Sequence, residues 1–204
     1  MNEHSGSKFS PEPRNIYITV PNIISLLRIV SIPFITLLVA HHRMVLALIV
    51  LTLSALSDGV DGLIARSFNQ VSRIGQVLDP IADRLLILCS VLALGLAGII
   101  PMWMIVIVAA RDMMMGVLVV ILAQHDYGPL PVNFVGKTGT ALLLISIIVL
   151  IISEMVHSRL MLIVHVAGLA TGIWGLGIYW LAGLIYVRQG YRLLSNQAVD
   201  ADGD

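Results

Sequence analysis

Long apolar runs alternate with short polar breaks along most of this chain. A helix that crosses a bilayer needs roughly 20 mainly apolar residues. Six runs meet this requirement, and they predict helices over residues 22–41, 44–66, 77–97, 101–124, 138–156 and 161–187. The breaks at 98–101 and 157–160 are very short, so the helices that they join are expected to be antiparallel neighbours. The pattern therefore predicts an all-α integral membrane protein, a bundle of six transmembrane helices.

The composition agrees with a membrane protein. The 204 residues are 58% hydrophobic and 12% charged, with a mean hydropathy of +0.95, whereas soluble domains are about a quarter charged. We predict one membrane domain over residues 16–195, flanked by polar, disordered tails at 1–15 and 196–204. The net charge of +0 says nothing about a nucleic-acid or acidic partner, but no base-stacking platform is evident, and no nucleic-acid partner is expected. Cys89 is the single cysteine, which excludes a disulfide within the chain.

The positions of the basic residues predict the orientation. With the N-terminus inside, only Arg43 and Arg159 fall on the outer side. The inner side then collects Lys8, Arg14, Arg66, Arg73, Lys137, Arg188 and Arg192. By the positive-inside rule both termini are cytoplasmic, and we expect a multi-pass protein of the cell membrane.

Four aspartates interrupt the apolar pattern where the second predicted helix gives way to the third. They lie in SDGVDGLIARSFNQVSRIGQVLDPIADR, at Asp58, Asp61, Asp79 and Asp83. Helical residues three or four positions apart share a face, so each pair presents two carboxylates together. Unpaired charges so close would repel one another, and two divalent cations would relieve the repulsion. Oxygen-only ligands favour Mg²⁺ or Mn²⁺, and the lack of His or Cys argues against zinc.

Small and basic residues surround the acids. Gly62 and Ala65 leave room for a ligand to approach the backbone, and Gly75 allows close helix approach. Arg66 follows one turn later and has the geometry for bidentate phosphate binding. Ionisable groups in membrane segments are functional by default. The sequence therefore predicts a polar active-site cavity that faces the cytoplasm and binds phosphate and metal.

These residues resemble the signature of the CDP-alcohol phosphatidyltransferases at every fixed position. The matching pattern is Asp58-x2-Asp61-Gly62-x2-Ala65-Arg66-x8-Gly75-x3-Asp79-x3-Asp83. The resemblance implies a six-helix membrane enzyme, usually a homodimer, in which an acceptor hydroxyl displaces CMP from a CDP-linked lipid. It also implies that the four aspartates hold two metals, with Asp83 as general base, and that Gly62, Ala65 and Arg66 contact the nucleotide and its phosphates.

The acceptor is predicted from weaker similarity. VPNIISLLRIVSIPF resembles the glycerol-phospholipid branch of the family, while ARDMMM and HDYGPLPVNFVGKTGT resemble its cardiolipin synthases. This favours transfer from CDP-diacylglycerol to phosphatidylglycerol. The alternative acceptor is glycerol 3-phosphate, used by the sister phosphatidylglycerophosphate synthases, which commonly carry Arg-Glu where this chain has Arg111-Asp112.

Three basic residues are candidates for acceptor binding: Arg28, Arg111 and Lys137. For the two arginines, interhelical ion pairing is an equal alternative, and for Lys137 it is anchoring to lipid headgroups. Because Arg111 and Asp112 are consecutive, they point about 100° apart on a helix and need not pair with each other.

Two other hypotheses stay open from the sequence alone. Gly168-x3-Gly172 is a small-residue motif that brings helices close, either between two copies of the chain or within one. A cation transporter or metal sensor would also gather acids, but such transporters commonly show paired interrupted helices in two halves. The second half of this chain has no such counterpart.

Overall fold

The computed structural model describes residues 20–68, 73–125, 134–156 and 158–201. Within them it describes the side chains of 23–57, 81–125, 134–156 and 158–195. Every regular element in these ranges is an α-helix. The six helices are α1 Val20–Ala40, α2 Met44–Phe68, α3 Arg73–Leu96, α4 Met102–Gln124, α5 Phe134–Ser153 and α6 Arg159–Ala201. The all-helical prediction is confirmed, and each predicted helix overlaps one observed helix.

Four of the helices carry described segments that are long and apolar enough to cross a bilayer, which indicates a membrane protein. The segments are Ile23–Ala40, Met102–Gln124, Phe134–Ser153 and Arg159–Ser195. In α2 the described apolar stretch, Met44–Ser57, is shorter. Large apolar side chains such as Leu27 and Phe34 lie on the outside of the bundle, as expected of a surface that faces lipid.

Two tight turns reverse the chain between helices. After α1 the backbone of His42 is left-handed, with φ 54°, and after α3 that of Gly98 is, with φ 76°. In both turns the next amide donates to a carbonyl five residues back, Arg43 to Leu38 and Ile99 to Leu94. This pattern closes the last helical turn in a Schellman motif. The short connection predicted near residue 98 is confirmed, and its glycine adopts this backbone without strain.

α3 and α5 each contact three other helices: α3 packs on α1, α4 and α5, and α5 packs on α2, α3 and α6. α1 also packs on α2, α2 on α5, and α4 on α6. The main core joins buried side chains of several helices, among them Ile35, Leu51, Leu94, Ile151 and Tyr179. A smaller cluster of Met115, Leu118 and Leu122 on α4 packs against α6 residues that include Val187 and Leu194.

Glycines bring α5 and α6 close together. A Cβ on Gly168 would lie 3.0 Å from Leu150, and one on Gly172 would lie 2.6 Å from Ser146 Oγ. Across the same interface, a Cβ on Gly139 would lie 2.9 Å from the backbone nitrogen of Tyr179. The Gly168-x3-Gly172 motif therefore packs helices within one chain, which is the second of the two alternatives that the sequence leaves open.

α6 is much longer than predicted. Its 43 residues extend about 64 Å, twice the roughly 30 Å of a hydrocarbon core. The apolar pattern ends near residue 187, where the prediction stops, but the helix continues to Ala201. Part of the predicted 196–204 tail is thus helical. Leu194 packs against the end of α4, and this contact supports helix beyond the apolar run.

Candidate functional site

The four aspartates lie on two consecutive helices. Asp58 and Asp61 fall in the last eleven residues of α2, and Asp79 and Asp83 in the first eleven of α3. The link 69–72 is outside the described residues, but five Cα–Cα steps limit the gap between the two helix ends to about 19 Å. The following predicted site residues have side chains outside the described ranges: Asp58, Asp61, Gly62, Ala65, Arg66, Gly75 and Asp79. Their roles stay predictions.

Asp83, the last of the four acids, forms an ion pair with α1. The Nη1 atom of Arg28 donates to Asp83 Oδ1 at 2.6 Å. The Arg28 side chain is 0% exposed, whereas that of Asp83 is 50% exposed. A buried guanidinium requires a charged partner, because removing an ion from water is costly. Of the two alternatives for Arg28, the structure has the interhelical ion pair, and acceptor binding by Arg28 stays a prediction.

α1 also contacts the helix that carries the first two acids. One turn after Arg28, the hydroxyl of Ser31 shares a hydrogen bond of 3.1 Å with Ser54 of α2. Ser54 is buried and lies one turn before Asp58. α1 therefore contacts α2 one turn before Asp58 and contacts α3 at Asp83. The sequence gives little sign of this role for two serines in apolar runs.

A second buried polar group joins α4 and α6. Asp112 Oδ1 accepts hydrogen bonds from Arg111 Nη1 at 3.1 Å and from the Tyr179 hydroxyl at 2.6 Å. The Arg111 guanidinium also stacks on the Tyr179 ring, 3.6 Å from its centroid. Arg111 and Asp112 therefore do pair, although helical spacing does not require it, because a long arginine side chain reaches its neighbour. We call these three residues the Arg111 cluster.

Tyr179 is the functional candidate that the sequence did not indicate. It lies in an apolar stretch of α6 and is 1% exposed. Its partner Asp112 is 67 residues earlier in the chain. An aspartate inside a membrane segment needs a hydrogen-bond donor. This need indicates that some buried group donates to Asp112, but it does not identify Tyr179.

Lys137 lies in the first turn of α5 and is exposed. No described residue forms an ion pair with it at the distances seen for Arg28 and Arg111. Binding of an anionic acceptor and anchoring to lipid headgroups both remain open for this side chain.

The proposed metal site is only partly within the described residues. Among described side chains, no three His, Cys, Asp or Glu residues form a group that could hold a metal ion. Three of the four predicted ligands lie outside them. The described ligand, Asp83, is a half-exposed carboxylate, and carboxylate oxygens are what Mg²⁺ and Mn²⁺ prefer. The donor set fits a hard divalent cation.

Comparison with known proteins gives the family. The family model for CDP-alcohol phosphatidyltransferase matches residues 18–174. Cardiolipin synthase (CMP-forming) of Streptomyces coelicolor is 38% identical over 87% of this chain and 85% of its own length. A protein of Mycobacterium tuberculosis named "Probable phosphatidylglycerophosphate synthase" is 32% identical over 76% of this chain and 77% of its own. Cardiolipin synthase (CMP-forming) of Rattus norvegicus is 38% identical over 48% of this chain and 32% of its own. The family model spans the α2–α3 acids, the Arg28 ion pair, and Arg111 and Asp112 of the Arg111 cluster, and the chain belongs to the CDP-alcohol phosphatidyltransferase family.

Proposed function

We propose that this enzyme transfers a phosphatidyl group from CDP-diacylglycerol to phosphatidylglycerol, so that cardiolipin forms and CMP is released. The observation that carries the proposal is the 38% identity to a cardiolipin synthase (CMP-forming) over 87% of the chain. That similarity extends well beyond the acidic signature, over helices that would contact the acceptor. Phospholipid synthesis at a membrane also suits a chain with four long apolar helices.

In the proposed reaction an acceptor hydroxyl attacks the phosphorus on the diacylglycerol side of the diphosphate, and CMP leaves. Asp83 takes the proton of that hydroxyl, because its carboxylate is half exposed and it lies deeper along α3 than Asp79 does. Arg28 orients this carboxylate through Oδ1. Gly62, Ala65, Arg66 and Gly75 bind the nucleotide and its phosphates.

Two divalent cations, Mg²⁺ or Mn²⁺, would be held by Asp58, Asp61, Asp79 and Asp83. When bound, such ions neutralise the negative charge of a diphosphate during displacement. No side-chain nucleophile is suggested, so transfer is direct.

The architecture that we propose for the enzyme has six membrane spans, with α2 and α3 crossing beside the four apolar helices. The acids then open into a polar cavity on the cytoplasmic side of the cell membrane, and both termini are cytoplasmic. The enzyme is proposed to work as a homodimer. Arg111 and Lys137 are proposed to bind the acceptor, and direct binding of the acceptor by Arg28 is the alternative to its action through Asp83.

The direct test measures CMP release and lipid product with the purified protein in detergent micelles. CDP-diacylglycerol is supplied with phosphatidylglycerol, and Mg²⁺ or Mn²⁺ is either added or removed with EDTA. We expect metal-dependent CMP release and cardiolipin in equal amounts. Uptake of ions into vesicles without consumption of CDP-diacylglycerol would contradict the proposal and indicate a transporter.

A second acceptor, glycerol 3-phosphate, is favoured by the similarity to the phosphatidylglycerophosphate synthase relative over 76% of the chain. The same assay, run with glycerol 3-phosphate in place of phosphatidylglycerol, decides between the two. Turnover with glycerol 3-phosphate alone would change the acceptor but leave the reaction class unchanged.

A further inference from the structure

The Arg111 cluster contains two polar atoms whose hydrogen-bonding capacity is unused. Arg111 Nε and Asp112 Oδ2 are both buried and have no hydrogen-bond partner among the described residues. One is a donor and the other an acceptor, and they belong to adjacent side chains. Leaving such atoms unpaired in a buried site is costly, particularly on charged groups. The cluster is therefore complementary to a ligand that offers both an acceptor oxygen and a hydroxyl donor.

The contacts around the cluster fix its orientation. Tyr179 and Arg111 Nη1 both donate to Asp112 Oδ1, which directs the other carboxylate oxygen, Oδ2, elsewhere. The Tyr179 ring covers one face of the guanidinium. On the Nε side of Arg111 lies Gly183, where a Cβ would be 3.6 Å from Nε. The same Cβ would lie 3.0 Å from Met114 Cε, so the glycine allows α6 to approach Arg111 and Met114 closely.

α3, which carries Asp83, packs on α4, which carries Arg111 and Asp112. Arg84, the next residue of α3, is partly buried, and its charge acts on the Tyr179 hydroxyl. Asp83 contacts α1, so α3 adjoins the helices that carry both polar centres.

The charges select the chemistry of the ligand. Arg84, Arg111 and Asp112 together carry a net positive charge, so a cationic amine headgroup is repelled. An anionic phosphate is attracted, and a hydroxyl next to it has Asp112 Oδ2 as its acceptor. A glycerol phosphate group combines these features: it has two hydroxyls, one of which is consumed in the transfer, so that the other is available for recognition.

We propose that Asp112 is a specificity-determining residue that accepts a hydrogen bond from the non-reacting hydroxyl of a glycerol phosphate acceptor. Arg111 Nε donates to an oxygen of the same group. Tyr179 is a positioning residue, since it touches Asp112 and not the acceptor. The inference rests on the proposed function, whose acceptor it describes more closely. The group is either the headgroup of phosphatidylglycerol or free glycerol 3-phosphate.

The test compares each acceptor with an analogue that keeps the reacting hydroxyl but lacks the central one. Phosphatidylglycerol is paired with phosphatidyl-1,3-propanediol, and glycerol 3-phosphate with 3-hydroxypropyl phosphate. The pair that the wild-type enzyme uses identifies the source of the glycerol phosphate group. For that pair we expect the analogue to have a KM about 10- to 100-fold higher, because a hydrogen bond to a charged group is lost.

Asp112→Asn is the informative variant. In this variant the amide oxygen keeps the two donors that Oδ1 has in the wild type. An NH₂ group then takes the place of Oδ2, and it cannot accept a hydrogen bond from the hydroxyl. We expect this variant to raise the KM of the natural acceptor about 10- to 100-fold. The KM of the analogue and that of CDP-diacylglycerol should stay within about twofold of wild type. Tyr179→Phe keeps the ring under Arg111 and should reduce the preference for the natural acceptor by a few-fold.

Ser146→Ala is the matched control, because it removes a buried hydrogen bond to the carbonyl of Gly168 away from the cluster. Its preference for acceptor over analogue should equal that of wild type. If Asp112→Asn slows both acceptors of a pair equally, or if wild type does not distinguish them, the recognition role is wrong and an internal water or a structural role accounts for the unpaired atoms. If wild type releases no CMP with any of the four acceptors, the proposed function fails and the inference fails with it.

Discussion

At the scale of single residues, the two polar centres differ in how they meet water. Asp83 is half exposed and its partner Arg28 is fully buried, so the charged pair has one end in the protein interior and one at an opening. Asp112 and Arg111 are both nearly enclosed, with side chains 12% and 5% exposed. The first arrangement suits a group that exchanges protons or binds ions, and the second suits recognition of an uncharged hydroxyl in a site that excludes water.

Asp83→Asn should abolish transfer while the protein stays folded. Asparagine keeps the size of the side chain and one oxygen for Arg28, but it is a poor proton acceptor. We expect CMP release to fall at least 100-fold, the lower end of what general base catalysis contributes, while some nucleotide affinity remains. Steady-state assays and binding of CDP-diacylglycerol measure the two effects, and full activity would remove Asp83 from the role of base.

Arg28→Lys should lower kcat about tenfold, a loss of about 1.4 kcal/mol in the transition state. Lysine keeps the charge but is a flexible point charge that cannot fix the carboxylate as a guanidinium does. If Arg28 acts through Asp83, the KM of each substrate should stay within about twofold of wild type. A selective rise in the acceptor KM would instead show that Arg28 binds the acceptor directly. Arg159→Lys, at the exposed start of α6, is the control and should behave as wild type.

At the scale of helices, α5 and α6 form the most extensive contact, and part of it adjoins Tyr179 of the Arg111 cluster. Gly139 of α5 faces the backbone of Tyr179, whose hydroxyl holds Asp112 on α4. Farther along the same interface, away from the cluster, the hydroxyl of Ser146 donates a hydrogen bond of 2.8 Å to the carbonyl of Gly168. Such bonds between membrane helices contribute about 0.6 kcal/mol on average. Close packing at α5–α6 therefore fixes a side chain that reaches toward a third helix.

Gly139→Ala should destabilise the protein by about 1–3 kcal/mol, the usual cost of overpacking a close contact. The new methyl group would meet backbone atoms of α6 at 2.9 and 3.0 Å, and only a shift of the helix relieves this. Gly177→Ala is the control on the same helix pair, since nothing lies within 4 Å of its Cβ position. It should be neutral or stabilising by about 0.5–1 kcal/mol, because alanine favours helix. Thermal denaturation in detergent compares them, and equal effects would contradict the packing argument.

Much of the helical framework could be predicted, because each helix corresponds to a local run of apolar residues in the sequence. The end of α6 could not, since beyond residue 187 its helix is supported by contacts such as that of Leu194 with α4. For the site, the spacing of charges indicated Arg28 and Arg111 as candidates but not their partners. The Arg28–Asp83 and Asp112–Tyr179 contacts join residues 55 and 67 positions apart, and no local pattern contains such pairings.

At the scale of the whole molecule, the acids of α2 and α3 lie at the opposite end of their helices from the tight turns at 41–43 and 97–101. In the proposed orientation those turns are outside the cell, and the acids are near the cytoplasm, where nucleotides and Mg²⁺ are available. The orientation is therefore linked to function, since the opposite one would present the site to the cell exterior.

Single cysteines test this topology. Cys89 is the only native cysteine, so Cys89→Ala gives a background without thiols. In intact cells we expect His42→Cys, in the turn after α1, to react with a membrane-impermeant thiol reagent. Ser195→Cys, near the end of α6, should react only after the cells are permeabilised. Labelling of Ser195→Cys in intact cells would reverse the proposed orientation.

Asp83 and Arg84 are consecutive on one helix, so α3 cannot roll about its axis without displacing both. Their side chains are about 100° apart around that axis, and that of Asp83 is directed to α1. A roll that moves the carboxylate relative to Arg28 therefore also moves the neighbouring cation, whose charge acts on Tyr179. In the proposed mechanism, the positions of the donor and acceptor lipids are therefore coupled through α3. A substitution that moves this helix would affect both halves of the active site.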